Sequence, residues 1–131
     1  MKTQVEFRSS KFPPNAGEEE QINPGLWGKR LAEYLVGKLA EQGIESDEIL
    51  AEDWGWYIPM RNEGFRLALC CGHQGGDDDE FLCFTVPSTP VVRKLFRKID
   101  ATPQLTRLTA ALQQILASDP AIRDIEWKEP Q

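Results

Sequence analysis

The sequence predicts an α+β sandwich. An antiparallel β meander with flanking strands packs against about three α-helices, in the order β-α-β-β-β-α-α-β. Three observations lead there. Residues 54–86 alternate apolar and polar in consecutive runs separated by turn-forming clusters, which marks short strands. Apolar residues recur at helical spacing after residue 23 and again between 90 and 118. The chain has 131 residues, 40% of them hydrophobic, enough for one core without disulfides or metal, so residues 1–131 form a single domain.

Residues 4–9 open the chain as a half-buried strand, with Val5 and Phe7 on one face and Glu6 and Arg8 on the other. Residues 10–22 carry Pro13, Pro14 and Gly17 and then Glu18, Glu19 and Glu20, a composition that favours a solvated loop. The first helix is expected to start with Asn23 as cap and Pro24 at its first position, where a missing N–H costs nothing. Ile22 and Trp27 have the spacing of a hydrophobic staple across that start. Trp27, Leu31, Tyr34, Leu35 and Leu39 make its apolar stripe, and Gly43 suits the left-handed residue that ends it.

An acidic stretch, 45–53, leads into a strand over about 54–60, whose period of two places Trp54, Trp56, Ile58 and Met60 on one face. Residues 61–64 make a turn. The next strand puts Phe65, Leu67, Leu69 and Cys71 on one face and Arg66, Ala68 and Cys70 on the other. After the tip at 72–79, the third strand, 80–86, is apolar on both faces and reads as central. Thr89-Pro90 and Thr102-Pro103 repeat one helix-start signal, which predicts two helices over the next stretches. Asp119-Pro120 stops the second of them. Residues 122–127 alternate weakly and read as a final edge strand.

Charge narrows the function classes. The net charge is −6 with pI near 4.8, which disfavours general nucleic-acid binding because such binding runs on phosphate neutralisation by Lys and Arg. No apolar run approaches the roughly 18 residues needed to span a bilayer, and the first six residues hold no apolar signal core. The expected setting is therefore cytoplasmic, with no membrane partner. Three clustered cysteines fit reduced thiols, and one histidine excludes mechanisms that need two.

The most unusual local pattern is Glu52-Asp53-Trp54-Gly55-Trp56, followed by Tyr57. Two indoles beside two carboxylates would form a platform for a flat or cationic ligand; the plainer reading packs both indoles under the first helix. With the flanking order of elements, this box resembles a small, uncharacterised bacterial domain family. The resemblance covers about half the chain. It implies a bacterial, soluble, single-domain protein and carries no mechanism.

Other constellations are weaker. Cys70, Cys71, His73 and Cys83 have metal-binding side chains, but adjacent Cys70 and Cys71 point to opposite faces of a strand, so only one can join Cys83. A Cys–His nucleophile pair has no supporting motif, since His73 sits in a Gly-rich tip. Asp77, Asp78, Asp79 and Glu80 lack cation-loop spacing and read as a solvated turn. Residues 41–80 hold eleven acids and two bases; residues 91–108 hold five bases and one acid. In the expected helix, Arg93, Lys94, Arg97 and Lys98 share one exposed face.

These observations favour a non-catalytic binding or protein-interaction module whose acidic face meets a basic protein. The alternative is a small ligand-binding domain or enzyme with a pocket at the Trp54/Trp56 strand. Glu52, Asp53, Trp54, Trp56 and Tyr57 are the candidate ligand- or partner-binding residues under either. No residue is assigned a catalytic role, no metal ligand and no cofactor are expected, and the oligomeric state is left open.

Overall fold

A computed structural model describes residues 1–73 and 75–130. Its main element is a six-stranded sheet with every neighbouring pair antiparallel. In chain order the strands are β1 (Gln4–Arg8), β2 (Leu50–Glu52), β3 (Gly55–Met60), β4 (Leu67–Gly72), β5 (Glu80–Val86) and, after a separate hairpin, β8 (Arg123–Lys128). Their spatial order is β2-β3-β4-β5-β1-β8. The expected meander is β3-β4-β5. The first strand joins its β5 side and the last strand forms an outer edge. Not foreseen is β2, which extends the other side of the meander.

Register fixes which side chains meet. Trp56, Cys71, Cys83, Val5 and Trp127 form one row across five strands. That row and its neighbours at period two (Phe7, Ile58, Leu69, Phe81) face the helices and are buried, apart from the half-buried Trp127. Leu31, Leu35 and Leu39 of helix α2 (Lys29–Glu41) pack onto this face. Leu105, Leu108, Leu112 and Leu116 of helix α3 (Thr102–Ser118) complete the layer. The opposite face carries Tyr57, Cys70, Leu82, Phe84 and Val86; Cys70 is buried and the others half-buried, and all lie outside the main core.

Two helix expectations fail. The first long helix begins at Lys29, not Pro24. Glu18, in the one-turn helix α1 (Glu18–Gln21), is the cause. Its carboxylate Oε2 accepts the backbone N–H of Gly28 at 2.6 Å and of Lys29 at 2.7 Å. These N–H groups would otherwise have no partner at a helix start. The same oxygen accepts the Trp56 indole N–H at 2.8 Å, and Oε1 accepts the Asn15 N–H at 2.9 Å. Glu18 is 2% exposed, so a residue read as part of a solvated run is a buried, remote helix cap. Asn23, the expected cap, instead donates its amide to the Asp53 carbonyl.

The second failure concerns residues 90–99. They form a hairpin, β6 (Val91–Lys94) and β7 (Arg97–Asp100), with Leu95 and Phe96 as its two-residue turn. Val91, Val92, Leu95, Phe96 and Ile99 do fall at helical spacing, but the β-branched Val91, Val92 and Ile99 and the pairing across the ribbon outweigh it. Val92 and Ile99 pair across the ribbon and lean on the core, while Leu95 and Phe96 are 94% and 106% exposed. The four bases therefore do not share a helix face.

Candidate functional site

The acidic segment lies along an open sheet edge. Asp47 N–H donates to the Pro59 carbonyl, Arg61 N–H donates to the Glu45 carbonyl, and Ser46 bridges Met60. After Glu48 and Ile49, β2 pairs Leu50 with Tyr57, Ala51 with Trp56 and Glu52 with Gly55. Residues 45–52 thus run antiparallel along the whole of β3, and their outer backbone edge faces away from the sheet. Glu45, Asp47, Glu48, Glu52 and Asp53 are all exposed, as is Leu50 at 45%. Among the described residues one ion pair touches this row, Arg61 to Asp47 at 3.4 Å.

The aromatic box is divided between two faces. Gly55 stands where the chain turns from β2 into β3. A Cβ there would lie 2.7 Å from the Cys71 carbonyl oxygen, so no larger residue fits. This turn interrupts the alternation that would place both indoles together. Trp56 enters the core, 2% exposed, with its N–H on Glu18 and the Lys29 ammonium 4.6 Å above its ring. Trp54 is half-buried and packs against Phe84 of the opposite face, ring centroids 5.5 Å apart. Tyr57 lies on that same face, and its buried hydroxyl has no hydrogen-bond partner among the described residues. Of the five candidate residues, Glu52, Asp53, Trp54 and Tyr57 gather at the edge and outer face. Trp56 does not join them.

The cysteine and histidine candidates are closed off. Cys71 and Cys83 are cross-strand neighbours within the core, and Cys70 points to the other face. Burial pushes the Cys70 thiol up to about 12. The hydrogen bond between Cys71 and Cys83, with burial, holds Cys71 well above the ordinary thiol range. Such thiols are protonated and poor nucleophiles at neutral pH. His73 is 3% exposed, stacked on Trp27 at 3.9 Å, with each ring nitrogen facing a backbone carbonyl, of Gly25 and of Asp77. Among the described residues no three of His, Cys, Asp and Glu are placed to hold one metal ion.

The second acidic run is internally paired. Arg8 bridges Asp77, Asp79 and Glu80, and Arg123 also reaches Asp79. The turn expected at 77–80 is present and exposed at Asp77 and Asp78, and its pairing with Arg8 of β1 and Arg123 of β8 leaves less charge to present outward.

Sequence reasoning missed one further cluster. Asp119, just after α3, accepts hydrogen bonds from the Lys11 ammonium at 2.6 Å and the Tyr34 hydroxyl at 2.7 Å. Lys11 and Tyr34 hold the Asp119 carboxyl down at about 2. Burial, reinforced by Asp119, pushes the Tyr34 hydroxyl up to about 12. The cluster lines a surface cavity of about 580 Å³ between α2 and the end of α3, away from the indoles. A charge clamp between three distant segments explains the geometry. Its only signal in the sequence was Asp119-Pro120, read as a helix stop.

No family model matches this chain, and no curated protein and no solved structure matches it.

Proposed function

We propose that the protein is a non-catalytic binding module that receives a basic protein partner along the acidic edge formed by residues 45–53. The observation that carries this reading is the set of five exposed carboxylates, Glu45, Asp47, Glu48, Glu52 and Asp53, spread along an open strand edge, with one ion pair against them among the described residues. An open edge offers backbone groups for strand addition, and the carboxylates select cationic side chains on the incoming segment. Leu50, Trp54 and Tyr57 supply apolar contact beside them. The resemblance of the Glu52–Trp56 box to a bacterial domain family supports a bacterial setting for this module. A pocket at the Trp54/Trp56 strand has less support, because Trp56 is already packed and hydrogen-bonded within the core.

A fluorescein-labelled Lys/Val-alternating peptide tests the reading by anisotropy. Binding at low ionic strength is expected, weakened at least about tenfold in the triple variant Glu48→Gln, Glu52→Gln, Asp53→Asn. Equal affinity of the triple variant and the parent would overturn it.

A further inference from the structure

The β6–β7 hairpin is built differently from the rest of the surface. Its ladder places Arg93 opposite Lys98 and Lys94 opposite Arg97, two successive like-charge pairs, an arrangement that opposes pairing. Among the described residues none of the four bases meets a carboxylate; Lys94 reaches only the Gly64 carbonyl. The one acid of the ribbon, Asp100, is turned to the Thr102 N–H at the start of α3. At the tip, Leu95 has φ of 56°, a conformation in which turns ordinarily place Gly or Asn. The sequence instead puts a bulky leucine and a phenylalanine there, both fully exposed. Strain, like-charge pairs and exposed apolar surface coincide at one protrusion, and strain concentrates at functional sites. The base of the ribbon is fixed: Val92 and Ile99 lean on the core, and Ala101 N–H closes on the Pro90 carbonyl at 2.7 Å.

We propose that this hairpin is a peripheral anchor for an anionic lipid surface, with Leu95 and Phe96 entering below the headgroups and Arg93, Lys94, Arg97 and Lys98 lying among them. The layering supports the choice of partner. Apolar side chains occupy the tip and cations the next two rows, the depth order of an interfacial membrane contact. Because side chains alternate along a strand, Arg93 and Lys98 leave one face of the ribbon and Lys94 and Arg97 the other. A plane of headgroups surrounds such a tip on both faces, whereas the acidic face of a protein meets one. Contact with one leaflet needs no spanning segment, and no helix among the described residues is long and apolar enough to cross a membrane. The net charge of −6 repels an anionic surface at long range, so attraction acts only when the tip is within about a Debye length, ~10 Å at 0.1 M salt.

Co-sedimentation of the full chain with vesicles tests this directly. Vesicles of equal parts phosphatidylglycerol and phosphatidylcholine should retain the protein; pure phosphatidylcholine should not. Leu95→Ser with Phe96→Ser should weaken retention by about tenfold or more, from the lost apolar burial. Lys94→Gln with Arg97→Gln should weaken it by a similar factor, since each base near such a surface contributes several-fold. Unchanged thermal unfolding of both variants shows that the fold is retained. Absence of retention at low salt overturns the proposal. So does equal retention on neutral vesicles, or binding of polyglutamate or duplex DNA through the same bases with none to vesicles.

Discussion

Glu18 and Phe96 sit at opposite extremes of one small domain. Around Glu18 every partner is supplied from within: four N–H donors converge on one buried carboxylate, and a cation covers the indole it holds. Around Phe96 nothing is supplied: a fully exposed ring follows a strained residue, between bases without counter-charges among the described residues. The two regions teach that charge in a sequence says little until its neighbours are known. The Glu18-Glu19-Glu20 run looked like solvent-facing surface and contains a structural hub. The Arg-Lys pairs looked like one solvated helix face and ring a protruding tip.

The largest expected effect lies at the hub. Glu18→Gln keeps the shape but replaces one carboxylate oxygen by an NH₂ group. That group must then face either Asn15 N–H or the three donors of Gly28, Lys29 and Trp56. Loss of stability of about 2–4 kcal/mol is expected, because buried donors are left without acceptors. Urea unfolding measures it, and a change under about 1 kcal/mol would show that the hub is not the organiser described. Gly55→Ala attacks the same region from the sheet side. Its Cβ would approach the Cys71 carbonyl oxygen to 2.7 Å, and the expected loss is about 2–3 kcal/mol.

A smaller effect belongs to the Asp119 clamp, intermediate between the two regions in exposure. The Asp119 carboxyl is held at about 2, below the ordinary carboxylate value of 3.8. A depressed carboxyl stabilises the fold above its unfolded value and loses that contribution as pH falls toward the folded one. The parent should therefore lose stability from about pH 4 down to about 2 through this group. Asp119→Asn should cost about 1–2 kcal/mol near neutral pH and flatten that part of the acid limb. Thermal unfolding across the acid range reads both; an acid limb as steep in the variant as in the parent would remove Asp119 as its source.

What could be read in advance follows from the range of the forces. Meander strands are set by local alternation and turn residues, so β3, β4 and β5 were legible from 54–86, and α3 from its Thr-Pro start and leucine stripe. The position of α2's first turn was not, because its cap comes from Glu18, ten or more residues earlier and in a different segment. The separation of Trp54 from Trp56 depended on a close backbone approach between Gly55 and Cys71, which no periodicity reports. The candidate edge was half legible: its carboxylates and Tyr57 were visible, but pairing of 45–52 with β3 was needed to set the acids along one sheet edge. The hairpin was misread because its five apolar residues in nine fall at helical spacing, a local pattern that cross-ribbon pairing overrides, and no Gly or Asn marked its turn.

The smallest expected effect is at the tip, and its smallness is what makes it informative. Phe96 is fully exposed, so Phe96→Ser removes no packed contact, and surface substitutions of this kind usually change stability by within about 0.5 kcal/mol. A residue that contributes so little to the fold, beside a leucine held at φ 56°, is not explained by folding stability. Equilibrium unfolding of Phe96→Ser should overlay the parent curve. A loss above about 1 kcal/mol would mean that the ring is packed in solution, and the contrast between an internally satisfied hub and an outward-facing tip would fail at its outer end.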